Sequence, residues 1–151
     1  MFLYAISYII TTKSYHYAYF IIRKREIMTV LCADASPLAL FELGSDIKRI
    51  LPDAAVHLCR NAAVTYKTAK KHGCNILITD IDFGKDKEEG LILAEKMLDE
   101  YPDLNVIFAT AGSVRDYADR LVKIRYSGYI TKPYDIDGLK KELTNLRFHC
   151  E

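Results

Sequence analysis

Four side chains, read in chain order, could together handle a phosphoryl group: Asp34, Asp80, Thr110 and Lys132. Two carboxylates can hold a hard divalent cation, which prefers oxygen ligands; Mg²⁺ fits that description. Asp80 would accept the phosphoryl group, and the Thr110 hydroxyl and Lys132 ammonium would bind its oxygens, the lysine with charge assistance. Taken singly, each has a simpler role. Asp34 and Asp80 would serve as turn residues, Thr110 as a helix cap, and Lys132 as a solvated lysine before Pro133. The four gain meaning together because each ends a different strand-like run. Such ends converge on one crevice in an open parallel sheet.

The elements that would position them are legible in the pattern. Asn75 to Asp82 reads Asn-Ile-Leu-Ile-Thr-Asp-Ile-Asp, a short apolar run of the kind buried on both faces of a sheet, with Asp80 at its C-terminal end. Comparable runs are Thr29 to Ala33, Ala55 to Cys59, Val106 to Ala109 and Tyr129 to Thr131. Between them lie helical periodicities. Pro37 opens the first, which carries Leu38, Leu40, Phe41, Leu43, Ile47, Ile50 and Leu51 up to Pro52. Asn61 caps the second, which Gly73 ends. The third runs from Leu91 to Tyr101. The fourth runs from a Ser113 cap to about Arg125, with Val114, Ala118, Leu121 and Val122 in phase. Asp135 opens the last, with Ile136, Leu139, Leu143 and Leu146. Five strands alternating with five helices imply a doubly wound α/β domain, a five-stranded parallel sheet joined by right-handed crossovers.

Composition limits the function classes. The chain has 151 residues, room for one domain with a real core, and half its residues are hydrophobic. The formal charge of +1 divides into +3 over residues 1–27 and −2 over the remainder, so no basic surface for nucleic acid is indicated. Cys32, Cys59, Cys74 and Cys150 show no CxxC spacing. They read as reduced, mostly buried thiols of a cytoplasmic protein. Residues 1–27 differ from the rest, being rich in Tyr, Ile and Phe. Neither apolar run, Phe2 to Ile10 or Tyr15 to Ile22, reaches the roughly 20 residues of a membrane span. The charge order is the reverse of a signal peptide. The segment reads as an extension upstream of a start at Met28, ahead of an interfacial anchor or an extra element. A membrane partner is not expected.

These residues, in this order, resemble the receiver domain of two-component response regulators, over residues 28–148. Val30-Leu31-Cys32-Ala33-Asp34 is similar to the family's first strand and acidic site, Asp80 to the phosphoacceptor, and Thr110-Ala111 to the switch threonine. Tyr129 is similar to the switch aromatic and Lys132-Pro133 to the Lys-Pro pair. The look is nearest to Firmicutes receivers of LytTR-type or stage zero sporulation protein A-like regulators. The resemblance implies a (βα)5 flavodoxin-like fold and a sensor histidine kinase as partner. It implies a switch in which Thr110 and Tyr129 move and remodel the face made by the fourth helix, fifth strand and fifth helix. Arg115, Tyr117, Arg120 and Lys123 would present that face to a second copy or another protein. No output domain is visible after the last helix, so no direct DNA contact is expected.

Two departures from the family pattern stand out. Ala35 occupies the place of the family's second acid, a metal ligand, which should weaken Mg²⁺ binding. Asp82 lies where the family supplies a backbone carbonyl to the metal, and its side chain is a candidate replacement ligand. Ala35 favours a competing reading, a degenerate receiver serving as an interaction or dimerisation module. A third reading takes Asp80-Ile81-Asp82 as the DxD pair of a haloacid-dehalogenase-type phosphotransferase, with one Asp as nucleophile and one as acid/base. Those enzymes place the pair after the first strand and add a cap domain, for which this chain is too short. No GxxxxGK, GxSxG or HExxH is present, so the chain reads as a self-phosphorylating acceptor at most, not an enzyme.

Overall fold

Residues along the central strands alternate between two separate cores. On β1 (Thr29–Ala33), Val30 and Cys32 face one cluster and Leu31 and Ala33 the other. The same division holds on β3 (Ile76–Thr79) and β4 (Asn105–Thr110). This is the period-2 geometry of a strand covered on both sides. The computed structural model describes residues 27–83 and 87–147. The expectations for residues 1–26 and for Cys150 lie outside them.

The sheet runs β2-β1-β3-β4-β5, all parallel, with β2 at Ala55–Cys59 and β5 at Gly128–Thr131. Helices α1 (Pro37–Ile50) and α5 (Ile136–Thr144) cover one face through Leu40, Leu43, Ile47, Leu139 and Leu143. Helices α2 (Ala62–His72), α3 (Glu89–Glu100) and α4 (Ala118–Leu121) cover the other through Ala69, Leu91, Ala94, Met97 and Leu121. The caps follow the sequence. Ser36, Asn61 and Asp135 each accept a backbone N–H in the first turn of α1, α2 and α5.

Two boundaries differ from the sequence expectation in ways that concern the site. β4 extends to Thr110, because Thr110 pairs in register with Thr131. The helix expected from Ser113 to Arg125 is a 3₁₀ turn, Val114–Tyr117, followed by the single turn of α4. The break falls at Tyr117, whose backbone (φ −118°, ψ 13°) leaves the α-region while its side chain bonds Asp82 on another loop. A tertiary contact overrides a helical pattern here.

Phe108 is fully buried at the centre of the second core, beside the rings of Tyr126 and Tyr129. Phe108→Ala is expected to cost ~3–5 kcal/mol, a large part of the ~5–15 kcal/mol typical of a domain. Urea denaturation followed by circular dichroism measures it. A loss below about 1 kcal/mol would contradict this packing.

Candidate functional site

Strand-end hydrogen bonds fix the crevice before any side chain is considered. The Asp34 N–H donates to the Cys59 carbonyl, that of Asp80 to the Ala33 carbonyl, and that of Lys132 to the Thr110 carbonyl. The four residues therefore leave the sheet side by side. Two acids and one base then meet. The Lys132 ammonium donates to Asp34 Oδ2 at 2.5 Å and to Asp80 Oδ2 at 2.9 Å. The remaining oxygens accept backbone donors: Asp34 Oδ1 from the Ser36 N–H, and Asp80 Oδ1 from the Ile81 N–H. Asp34 is buried, Asp80 is half-buried, and Thr110 is buried at the end of β4.

Burial pulls the Lys132 pKa down, but the bonds to Asp34 and Asp80 outweigh it, and the net shift is upward. The ammonium is thus held charged between two carboxylates. One cation bridging two acids shows that their oxygens lie within reach of one small positive centre. Mg²⁺ takes one or two carboxylates and keeps several waters, so the donor set of Asp34 and Asp80 fits it. Among the described residues, no group of three or more His, Cys, Asp or Glu side chains could hold a metal.

Asp82, the candidate replacement metal ligand, takes no part in the Lys132 bridge. Its Oδ1 accepts the Glu88 N–H at 2.7 Å and its Oδ2 accepts the Tyr117 hydroxyl at 2.5 Å. Both oxygens serve the β3–α3 loop and the segment before α4. Tyr117 and Arg120, expected on the partner face, stay half-exposed and also make contacts within the chain. Tyr117 turns onto Asp82, and the Arg120 guanidinium pairs with Glu88 at 2.6 Å and Glu95 at 3.3 Å. Tyr129 is half-buried and its hydroxyl donates to the Gly112 carbonyl at 2.8 Å.

Two contributors escaped sequence reasoning. A side chain at Gly90 would place its Cβ 1.8 Å from the Asp80 carbonyl oxygen, so only glycine lets α3 begin against the end of β3. Its position closing the acidic loop was the available signal. Glu88, in the left-handed region at φ 63°, ties that loop to Arg120. Nothing in the local sequence pairs residues 32 positions apart.

The match to a known family settles the class. A model of the response regulator receiver domain matches residues 30–144, most of the chain. The chain belongs to that family. Receivers are the phosphoaccepting switch domains of two-component signalling; they generally bind Mg²⁺ at the phosphorylation site, interact with histidine kinases and can dimerise. The receiver fold recurs in a response regulator receiver domain protein from Clostridium thermocellum (17% identity, TM-score 0.69, 80% of this chain and 94% of that one). It recurs in the Vibrio cholerae chemotaxis protein CheY4 (14%, 0.72, 81% and 100%). The isolated receiver of RcsB from Salmonella enterica, determined with a phosphomimetic beryllofluoride, is also similar (22%, 0.66, 78% and 86%). No curated protein sequence matches the chain. No helix among the described residues is long and apolar enough to cross a membrane.

Two receiver phenols carry a pH signature. Burial, then the acceptor Asp82, pushes the Tyr117 phenol up to about 12 from an ordinary 10. Burial pushes the Tyr134 phenol to about 12 as well. A raised pKa means that the folded chain keeps protons the unfolded chain releases. The associated stability is fully present below pH 10 and is lost as pH rises from 10 to 12. The urea midpoint should therefore fall across that window, and less steeply in Tyr117→Phe. A midpoint unchanged across the window would contradict these environments.

Proposed function

We propose that Asp80 is the phosphoacceptor of this receiver and that Asp34, Thr110 and Lys132 complete its site. The carrying observation is the Lys132 ammonium, bonded at once to Asp34 and Asp80. Asp80 attacks phosphorus, the phosphorus–nitrogen bond of a phosphohistidine on a sensor kinase breaks, and the electron pair returns to the imidazole. Lys132 lies where it can turn from the carboxylates to the phosphoryl oxygens, and Thr110 supplies a hydroxyl from the next strand. Asp34 and Asp80 would hold Mg²⁺, which supplies charge neutralisation at the transferring group. Ala35 leaves that site one acid short, and Asp82 is engaged elsewhere. Weakened Mg²⁺ affinity is therefore part of the proposal.

A groove of about 750 Å³ beside Lys132, lined by Phe41, Glu42, Asp46, Ala111 and Tyr134, offers a way in for the donor. Phe41 of α1 stands exposed in its lining. The readout runs through Thr110 and Tyr129 to the face of α4, β5 and α5, and a second copy or a protein partner would read it. The domain is taken as 28–148 and its setting as cytoplasmic, consistent with free thiols at Cys32, Cys59 and Cys74. Kinship with Firmicutes LytTR-type or stage zero sporulation protein A-like regulators rests on motif order alone. The phosphotransferase reading loses support because Asp80 and Asp82 face different partners.

Intact mass of the chain after acetyl phosphate and Mg²⁺ tests the reading. The wild type should gain the mass of one phosphoryl group, and Asp80→Asn should gain none. A flat mass at high Mg²⁺ would favour the degenerate receiver that Ala35 points to. Restoring the absent acid with Ala35→Asp should lower the half-saturating Mg²⁺ for phosphoryl uptake by ~10–100-fold. An unchanged Mg²⁺ requirement would contradict the two-carboxylate site.

A further inference from the structure

Tyr117 sits over the crevice in a way the receiver chemistry does not require. Its hydroxyl donates to Asp82 Oδ2. The Asp80 carboxylate bears on the same phenol electrostatically. The phenol therefore joins Asp82 at the edge of the crevice that Asp80 lines. Space for the ring exists because residue 112 is glycine. A Cβ there would fall 2.5 Å from Tyr117 Cε2 and 2.8 Å from its hydroxyl oxygen. The carbonyl of that glycine accepts the Tyr129 hydroxyl, so both tyrosines bear on residue 112. Three residues on, Arg120 is clamped to Glu88 and Glu95. Asp82, Glu88 and Glu95 on one side, and Tyr117 and Arg120 on the other, thus join the β3–α3 segment to the segment carrying α4.

We propose that Tyr117 is a positioning residue that latches the unphosphorylated receiver, holding Asp82 through its phenol and packing its ring on Gly112 until a phosphoryl group displaces it. The latch rests on Asp80 being the phosphoacceptor. A phosphoryl group brings strong acceptor oxygens and negative charge to a place already holding the Asp82 carboxylate. Those oxygens compete with Asp82 Oδ2 for the phenol proton. Release of the phenol frees the ring from Gly112, and Gly112 is where Tyr129 is anchored. The latch would thereby connect the crevice to the α4–β5–α5 face through groups already in contact, biasing two arrangements of one segment. Its cost to phosphorylation is that of one hydrogen-bonded arrangement to be broken, and removing the phenol oxygen removes that cost.

The test follows the rate of phosphoryl uptake from acetyl phosphate by intact mass, on the full chain. Tyr117→Phe keeps the ring and deletes the latch, and should speed uptake about two- to tenfold. The gain should vanish when Asp82→Ala is already present, because the latch acts through that carboxylate. A structural role alone would shift the denaturation midpoint and leave the rate ratio between these backgrounds unchanged. Equal uptake by wild type and Tyr117→Phe would overturn the latch and leave the phosphoacceptor reading intact. Slower uptake by Tyr117→Phe would also overturn it, since the phenol would then be assisting transfer. Absence of label on wild type and every variant would remove both readings.

Discussion

One ammonium between two carboxylates organises the functional end of this molecule. Asp34 leaves β1, Asp80 leaves β3 and Lys132 leaves β5. The sheet order separates β1 from β5 by two strands, so the lysine must reach across the crevice to both acids. The group is partly buried, where an unpaired carboxylate would be costly. With the lysine in place the side-chain oxygens of both acids are satisfied, and no buried side-chain N or O among the described residues lacks a partner. The arrangement stores a site whose negative charge is partly neutralised at rest and can exchange one set of charges for another. It contributes more to poise than to stability, since paired charges of this kind roughly break even against their desolvation.

The rest of the fold serves that convergence. Alternation along the central strands makes two cores, and the two cores hold helices on both faces of the sheet. Gly90 lets α3 begin directly against the Asp80 carbonyl, which keeps the β3 end close to the core while the loop beyond it carries the acidic residues Asp82 and Glu88. That loop is tied to the segment before α4 by Tyr117 and to α4 itself by Arg120. The part of the molecule that would change shape is therefore the part with the shortest helix and the most polar ties. Such elements belong to the low-stability end of a fold.

How much of this could be read in the sequence depends on the range of each interaction. Asp34, Asp80, Thr110 and Lys132 were legible because each closes an apolar run, and parallel topology turns run ends into neighbours. The helices α1, α2 and α5 were legible because Ser36, Asn61 and Asp135 are local caps. The fourth helix was not. Val114, Ala118, Leu121 and Val122 repeat at helical spacing, but Tyr117 is held by a carboxylate 35 residues away, and periodicity carries no record of that bond. The partners of Asp82 were hidden for the same reason. Its proximity to Asp80 in sequence pointed to the metal site, while its side chain is claimed by the Glu88 amide and the Tyr117 phenol. Sequence distance predicts the backbone position of such a residue and says little about which partner its side chain chooses.

The central claim is that one crevice, at the ends of β1, β3, β4 and β5, receives a small tetrahedral anion. Amide chemical shifts of the ¹⁵N-labelled chain, titrated with beryllofluoride and Mg²⁺, test it most directly. The account predicts large shifts at Ile81, Ala111 and Lys132, spreading to Gly112 and Tyr129, and none in Asp80→Asn. A spectrum that does not change, or changes confined to residues away from these strand ends, would contradict it.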